Sequence, residues 1–281
     1  MPELPEVETI KNAVAKASLN AKILRVQVRQ ARLRELVPAD FAKRIQNTCI
    51  INLHRIAKYM IMDLDNGISV IWHFGMSGKL KIESDWNPNE ELDKHDHIII
   101  ETDKCRIIYN DARRFGMVTY CKTAELKKQK CFAHVGMDPW DNSLTAKYLL
   151  EKFNKSKTPI KTALLNQEII CGIGNIYASE ILYRARILPQ RSAESISESE
   201  ADKIIAYTRS ILEEAIRAGG STIHDYKRPD GNIGYFQNSH CVYNKTGQHC
   251  PDCVCDVLKS GGIRKILQAG RSTFYCPTLQ K

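Results

Sequence analysis

Apolar residues follow two different spacings along the chain, and these divide it into a strand-rich first half and a helix-rich second half. From Glu6 to Ser18 they recur at helical spacing and predict one short amphipathic helix. Asp65-Asn66-Gly67 predicts a tight hairpin, because Asn-Gly supplies the positive φ angles such a turn requires. Short β-branched segments predict strands at residues 22–28, 49–53, 59–64, 68–72, 97–101 and 106–109. Residues 1–135 are therefore predicted to form a β-sandwich or barrel with a leading helix.

The spacing of apolar residues changes after a turn-rich segment at residues 136–143, and it is helical beyond that point. Ser197 is placed to open a long amphipathic helix. Residues 164–180 predict two helical segments joined by a glycine turn, with Asn175 where an N-cap belongs. We therefore predict a helical domain at residues 141–225.

The last part of the chain lacks helical spacing. Residues 226–240 are polar and rich in glycine, and they are predicted to end a loop and act as a linker. Residues 241–281 carry short β-type runs and many cysteines, which favours a small separate module. The fold class predicted from the whole pattern is α+β with several domains.

Composition narrows the class of protein. The 281 residues contain 43% hydrophobic and 26% charged side chains, which excludes a disordered or collagen-like chain. Lys and Arg number 41 against 32 Asp and Glu, a formal charge of +9, so a polyanion is the natural partner. Charge alone does not separate nucleic acid from an anionic membrane surface. The start of the chain is acidic and no apolar run approaches about 20 residues, so we expect a cytosolic protein without membrane segments.

Ten cysteines are more than a cytosolic chain needs for its core. Five are scattered among apolar residues and are interpreted as small buried hydrophobes. The others crowd near the end, where Cys250-Pro-Asp-Cys253 and Cys276 have the spacing of a tetrahedral zinc site. Unconnected thiols are the alternative, and a reducing compartment favours zinc. Leu279 stands three positions after Cys276, where the fourth cysteine of a second Cys-x-x-Cys pair is expected.

Four further segments could carry chemistry. Removal of Met1 would leave Pro2 as a secondary α-amine, which titrates near 8 and is partly nucleophilic at neutral pH, with Glu3 as a proton shuttle. An extended leader before a helix is the alternative. The Gly172 to Asn175 turn either allows close helix crossing or binds a phosphate at a helix N-terminus. The loop at residues 111–116 could brace a phosphate or wedge into a base stack, or be a solvated charged turn. The glycine-rich turn at residues 73–78 similarly carries a Met and a Phe, which more often belong to the core.

Eight segments, taken together and in order, resemble the motif series of bacterial formamidopyrimidine-DNA glycosylases over the whole chain. They are Pro2–Thr9, Ala57–Tyr59, His73–Gly78, Lys94–His97, Asp111–Gly116, Gly172–Glu180, Gly234–Phe236 and Gly270–Cys276. The resemblance implies an N-terminal β-sandwich, a helix-two-turn-helix (H2TH) domain and a C-terminal zinc-finger hairpin. It also implies base excision repair of double-stranded DNA that contains oxidised purines or abasic sites.

The resemblance assigns catalytic roles to four residues. Pro2 would attack C1′ of the damaged nucleotide and displace the oxidised base, and β- then δ-elimination would cut the strand. Glu3 would be the acid/base at the sugar, and Lys58 a charge and proton source. Arg271 would clamp the flanking phosphate.

The resemblance also implies DNA contacts. Asn175 would hold a second phosphate, with Lys157, Tyr243 and His95 as further backbone contacts. Met76, Arg113 and Phe115 would fill the gap left when the lesion is flipped out of the duplex.

One structural zinc per chain is expected, held by Cys250, Cys253 and Cys276. Leu279 replaces the family's fourth cysteine, and the segment before Cys276 carries an apparent insertion at residues 256–262. Cys255 is the most economical fourth ligand. Water, His249, or the absence of a metal remain open.

Two other functions compete with the removal of oxidised purines. One is a sister class, similar to endonuclease VIII, that removes oxidised pyrimidines with the same fold. The other is a DNA-binding zinc protein without catalysis. Nothing in the sequence indicates an obligate oligomer, so a monomer is expected.

Overall fold

The computed structural model describes residues 1–87, 91–222, 228–229, 231–254 and 256–281. Packing divides the chain into two compact units. The first consists of residues 1–133 with 216–237, and the second of residues 134–215 with 238–281. Both mix helix and strand, as the α+β prediction requires. Among the described residues, no helix has the length and apolar character needed to cross a membrane.

Two antiparallel four-stranded sheets and a leading helix form most of the first unit. The sheets have the strand orders β1-β6-β7-β5 and β2-β3-β4-β8. The helices of residues 1–133 are α1 (Leu4–Ser18) and the short α2 (Phe41–Ile45), with 3₁₀ turns at Thr123–Lys128 and Lys130–Phe132. The strands are β1 (Ile23–Val28), β2 (Ile50–Ile56), β3 (Tyr59–Leu64), β4 (Ile68–His73), β5 (Lys79–Glu83), β6 (Asp96–Thr102), β7 (Arg106–Asn110) and β8 (Met117–Lys122).

One apolar core joins the two sheets and the helix. Met60 and Met62 of β3 and Ile98 and Ile100 of β6 contribute to the same cluster, at the period of two that directs alternate side chains to one face. Helix α1 adds Val7, Ile10 and Val14 at helical spacing. The predicted sandwich is thus confirmed. The turns at the ends of its strands are attached to this packed core.

The second unit contains helices and a β-hairpin. Its α3 (Ala146–Phe153), α4 (Ile160–Leu164), α5 (Asn175–Ala185) and most of α6 (Glu198–Arg217) are followed by α7 (Val257–Ser260), β9 (Arg264–Gln268) and β10 (Arg271–Tyr275). Short 3₁₀ turns lie at Ala193–Ser195 and Phe236–Ser239. Ala269 and Gly270 join β9 to β10 with φ of 47° and 72°, the positive pair that a two-residue hairpin turn uses. Arg271 therefore begins the returning strand.

The predicted elements differ from the observed ones at several places, and the short helix α2 was not predicted. The strands β5 and β8 were absent from the prediction. Residues 164–180 were predicted to be largely helical, but α4 ends at Leu164 and α5 begins only at Asn175. The N-cap of α5 is Gly174, so the prediction that Asn175 is the cap is wrong by one residue.

Candidate functional site

The start of α1 holds Pro2 and Glu3 in a buried position, with Glu3 only 4% exposed. Glu6 holds the backbone here, since its Oε2 accepts a hydrogen bond of 2.8 Å from the Glu3 N–H. The other oxygen, Oε1, accepts from the Ser221 N–H at 2.8 Å. One carboxylate thus joins the head of α1 to the loop that follows α6.

Lys58 lies in the turn between β2 and β3 and is 6% exposed. Its neighbour Ala57 has a φ of 51°, which turns the chain sharply. Arg55 anchors this turn, because its Nη1 donates to the Ala57 carbonyl at 3.0 Å and its Nε to Glu8 Oε2 at 2.9 Å. Since Glu8 belongs to α1, the hairpin with Lys58 is attached to the helix that begins beside Pro2.

Two loops of the first unit, residues 73–78 and 111–116, present apolar side chains to solvent; we call them the wedge loops. Met76 is 42% exposed and Phe115 is 48% exposed. The guanidinium of Arg113 lies over the Phe115 ring, 4.8 Å from its centroid. The three residues predicted to fill a DNA gap therefore lie on the exposed tips of these loops.

The buried carboxylate of Asp111 ties the wedge loops together. Its Oδ1 accepts from Ser77 Oγ at 2.5 Å, and its Oδ2 accepts from the Gly116 N–H at 2.8 Å and Tyr109 OH at 3.1 Å. Ser77 Oγ in turn accepts from the Arg113 N–H at 3.0 Å. Asp111 is 0% exposed, so this network is shielded from water. Sequence reasoning assigned no role to Asp111, although an acidic residue at the end of an apolar strand was the available signal.

His95 lies beside the second wedge loop. Its carbonyl accepts from the Asp111 N–H at 3.1 Å, and its ring centroid lies 6.3 Å from that of His97. His97 Nε2 is 2.8 Å from the Asp111 carbonyl. The backbone of the Lys94–His97 segment is thus joined to the wedge loop.

His73 supports the first wedge loop as a neutral imidazole. Its Nδ1 accepts from the Gly75 N–H at 3.2 Å, which requires that nitrogen to be unprotonated. Burial, followed by the charges of Arg34 and Lys58, lowers the pKa of His73 to about 4. The ring is therefore uncharged at neutral pH.

Acid should destabilise the first unit through this histidine. Between pH 6.5 and about 4 the unfolded chain binds a proton at His73 that the folded chain does not, so the free energy of unfolding falls as the pH drops. We expect a loss of roughly 2–3 kcal/mol below pH 4 relative to pH 7.5. Urea unfolding of the wild type and His73→Gln across this range measures it. An identical pH dependence in both proteins would refute the assignment.

In the second unit, three segments distant in sequence meet at Asn175. Its Nδ2 donates to the Ser272 carbonyl at 2.9 Å and to Tyr243 OH at 3.3 Å. Ser272 directly follows Arg271, which is exposed. The structure thus brings together the segments of Asn175, Tyr243 and Arg271. Lys157 lies exposed between α3 and α4.

Glu180 of α5 fixes the start of the cysteine-rich tail. Its carboxylate accepts from the N–H groups of Cys241 at 2.7 Å, Val242 at 3.0 Å and Tyr243 at 2.8 Å. Burial raises the pKa of this carboxyl, and the three N–H groups act against that shift. The sequence prediction missed this role, because the partners lie about 60 residues away.

The thiols of Cys250, Cys253 and Cys276 are buried, and their sulfur atoms all lie within 4.8 Å of one another. This group could hold a metal ion. Cys255, the predicted fourth ligand, lies outside the described residues. The side chain of Leu279 packs against the cluster that contains the three cysteines.

Gln280 attaches this cysteine cluster to the helical part of the unit. Its Oε1 accepts from the Cys276 N–H at 2.8 Å, and its Nε2 donates to the Ile187 carbonyl at 2.8 Å. Tyr183 of α5 is fully buried in the same cluster. The hairpin with Arg271 is therefore attached to the helical part of the unit by the Gln280 side chain and by packing within the cysteine cluster.

Comparison with known proteins connects both units to one group of enzymes. Residues 1–118 match the formamidopyrimidine-DNA glycosylase N-terminal domain, and residues 135–227 match the H2TH domain of the same enzymes. This N-terminal domain followed by an H2TH domain defines a class of DNA glycosylases. The chain belongs to the formamidopyrimidine-DNA glycosylase family, whose members are base excision repair glycosylases with lyase activity at abasic sites.

The similarity extends over the full chain. The formamidopyrimidine-DNA glycosylase of Rhodospirillum rubrum is 39% identical over 282 residues, covering 100% of both proteins. That of Allorhizobium ampelinum is 40% identical over 304 residues, again covering 100% of both. The Lactococcus lactis enzyme in complex with abasic-site DNA has a TM-score of 0.89 and 31% identity over 99% of both chains. The resemblance inferred from the motifs is thus confirmed.

Proposed function

We propose that this chain excises oxidised purines from double-stranded DNA and then cuts the strand by β- and δ-elimination. The observation that carries the proposal is the buried Pro2-Glu3 start of α1, held by Glu6 and joined through Arg55 to the hairpin of Lys58. Loss of Met1 would make Pro2 an amine nucleophile in this shielded place. Related complexes support the substrate, since the Lactococcus lactis enzyme was solved with abasic-site DNA and with Fapy-dG DNA.

The chemistry follows from a secondary amine. The Pro2 nitrogen bonds to C1′ as the C1′–N bond to the base breaks, and the base leaves with a proton. Cleavage of the C1′–O4′ bond, with O4′ taking a proton from Glu3, opens the sugar ring and leaves an iminium ion between the Pro2 nitrogen and C1′. The iminium ion acidifies the C2′ protons, so the Glu3 carboxylate can remove one as the C3′–O bond to the 3′ phosphate breaks. A second elimination expels the 5′ phosphate. Lys58 would supply charge and a proton, and Arg271 would neutralise the leaving phosphate.

Binding would use one surface in each unit. In the second unit, Asn175 at the N-terminus of α5 would hold a phosphate, where exposed N–H groups favour an anion. Lys157, Tyr243 and, in the first unit, His95 would add backbone contacts. The wedge loops would insert Met76, Arg113 and Phe115 where the lesion has left the base stack. We expect the enzyme to work as a monomer in the bacterial cytosol, where the chromosome lies.

We propose one structural zinc ion in the second unit. The buried thiols of Cys250, Cys253 and Cys276 are soft donors at the spacing zinc requires, and they fit such an ion. Cys255 is proposed as the fourth ligand, with water or His249 as the alternatives. When bound, the ion would cross-link the hairpin of Arg271. The amine mechanism gives it no chemical step.

A second candidate is the removal of oxidised pyrimidines. One observation favours it: the Lactococcus lactis relative has also been solved with DNA that contains an oxidised pyrimidine. The purine substrate is favoured by the resemblance to formamidopyrimidine-DNA glycosylases, which includes the wedge-loop residues Met76, Arg113 and Phe115. A DNA-binding protein without catalysis is the third possibility.

Matched duplexes separate these functions. We expect release of free base and a one-nucleotide gap with phosphate at both ends from an 8-oxoguanine duplex, at least about 10-fold faster than from a thymine glycol duplex. A duplex with guanine at the same position is the control. Faster cleavage of thymine glycol would favour the pyrimidine enzyme. Tight binding of all duplexes without base release would leave a non-catalytic protein.

A further inference from the structure

Lys161 of α4 is the most deeply buried lysine among the described residues whose exposure is given, with 1% of its surface exposed. Its Nζ donates to Asn175 Oδ1 at 2.6 Å, to the Ser272 carbonyl at 3.0 Å and to Thr273 Oγ1 at 2.8 Å. Lysine is almost never fully buried unless its ammonium is satisfied. A single ammonium therefore joins α4, the first residue of α5 and strand β10.

These contacts determine which way the Asn175 amide points. The Lys161 ammonium can only donate, so the atom of Asn175 that faces it must be the carbonyl oxygen. The Ser272 carbonyl can only accept, so the atom that faces it must be the NH₂ group. In the reverse orientation the NH₂ group would face the Lys161 ammonium, a donor, and the amide oxygen would face the Ser272 carbonyl, an acceptor. Neither pair could form a hydrogen bond. Lys161 therefore leaves the amide nitrogen as the donor that faces Tyr243 and the hairpin.

The same ammonium holds the hairpin next to Arg271. Its contacts with Ser272 and Thr273 fix the two residues that follow Arg271 on β10. Thr273 is 0% exposed, which limits its freedom to move. The Lys161 ammonium bonds to Asn175 and to the residues that follow Arg271, so it fixes the distance between Asn175 and the backbone beside Arg271.

We propose that Lys161 is a positioning residue for phosphate binding. It orients the Asn175 amide so that the N–H that makes the long 3.3 Å bond to Tyr243 OH can turn to a phosphate, and it holds the amide in register with Arg271 on one DNA backbone. This inference rests on the proposed function, since it takes Asn175 and Arg271 as the phosphate contacts.

A double-mutant cycle distinguishes the two roles. We expect Lys161→Met to weaken binding of a duplex with a tetrahydrofuran abasic analogue by about 10-fold or more, because a misoriented amide loses a charge-assisted contact. In the Asn175→Ala background the same change should cost less than about 3-fold, since there is no amide left to orient. Fluorescence anisotropy measures both. Lys203→Met, which removes an exposed lysine of α6, is the matched control and should change binding little.

Equal losses in both backgrounds, or no loss from Lys161→Met, would overturn the inference. If Lys161→Met melts below the assay temperature, Lys161→Arg keeps the charge but alters the donor geometry, and it replaces Met in the same cycle. Binding by Asn175→Ala equal to that of the wild type would refute the phosphate grip, and the inference with it. Base release from 8-oxoguanine duplexes by the wild type would then still support the proposed activity, so the two failures are distinguishable.

Discussion

Sodium borohydride added to the protein and an 8-oxoguanine duplex is expected to trap a covalent protein–DNA adduct, and Pro2→Gly should trap at least about 100-fold less. The reductant converts the iminium between the Pro2 nitrogen and C1′ into a stable amine. A glycine amine lacks the ring that presents the nitrogen at the head of α1, and its backbone is freer. Denaturing gels with labelled DNA measure the adduct directly.

Two controls make this result specific to the N-terminal amine. A short N-terminal extension that blocks removal of the residues before Pro2 should also abolish trapping, because the proline nitrogen is then an amide. Pro38→Gly, in the same unit but outside α1, should trap like the wild type. Full trapping by the extended protein, whose Pro2 nitrogen is an amide, would mean that a lysine such as Lys58 is the nucleophile. Binding without an adduct in any variant would contradict the lyase chemistry.

The sandwich could be predicted from local sequence because most of its strands are short runs of β-branched and apolar residues. Six strands were found as β-branched runs, since alternate side chains such as Met60 and Met62 must reach one core. The strand β5, Lys79–Glu83, was missed because charged residues occupy three of its five positions. It is held by pairing with β7, which no local pattern reveals.

The prediction of helix in the first part of residues 164–180 was wrong, because these residues are buried by packing without forming a helix. The glycine turn lies where it was predicted, since Gly172 adopts a φ of 91°. Residues 165–171 before it carry apolar side chains at helix-like spacing but form turns and not the predicted helix. Ile170 and Ile173 are nonetheless fully buried. The apolar pattern predicted the buried positions correctly but the wrong backbone conformation. A short buried segment can fit the spacing of a helix and also that of a strand.

Residue types indicated the site chemistry, whereas its geometry depends on distant partners. The Pro-Glu start and the Cys-x-x-Cys pair are local motifs, and these could be predicted. The bonds from Glu6 to Ser221 and from Lys161 to Thr273 span 215 and 112 residues. Residues that orient others, such as Glu180 and Asp111, could be recognised only after the chain was folded.

Substitution of single cysteines should change zinc affinity more than any other property of the second unit. Cys276→Ser is expected to lower it by at least about 100-fold, because a buried thiolate is lost from a group whose sulfur atoms lie within 4.8 Å. DNA affinity should fall as well, since Cys276 directly follows β10, whose first residue is Arg271. Competition with a chromogenic chelator measures the metal, and Cys241→Ser is the matched control outside the group.

Leu279 makes the fourth ligand testable. Its side chain packs against the cysteine cluster, so Leu279→Cys would place a fourth thiolate beside the other three. If water completes the site, this change should raise zinc affinity by about 10-fold or more, and Cys255→Ser should have little effect. If Cys255 is the ligand, Cys255→Ser should lower affinity and Leu279→Cys should restore it in that background. A protein that binds no zinc in any of these variants would refute the proposed zinc site.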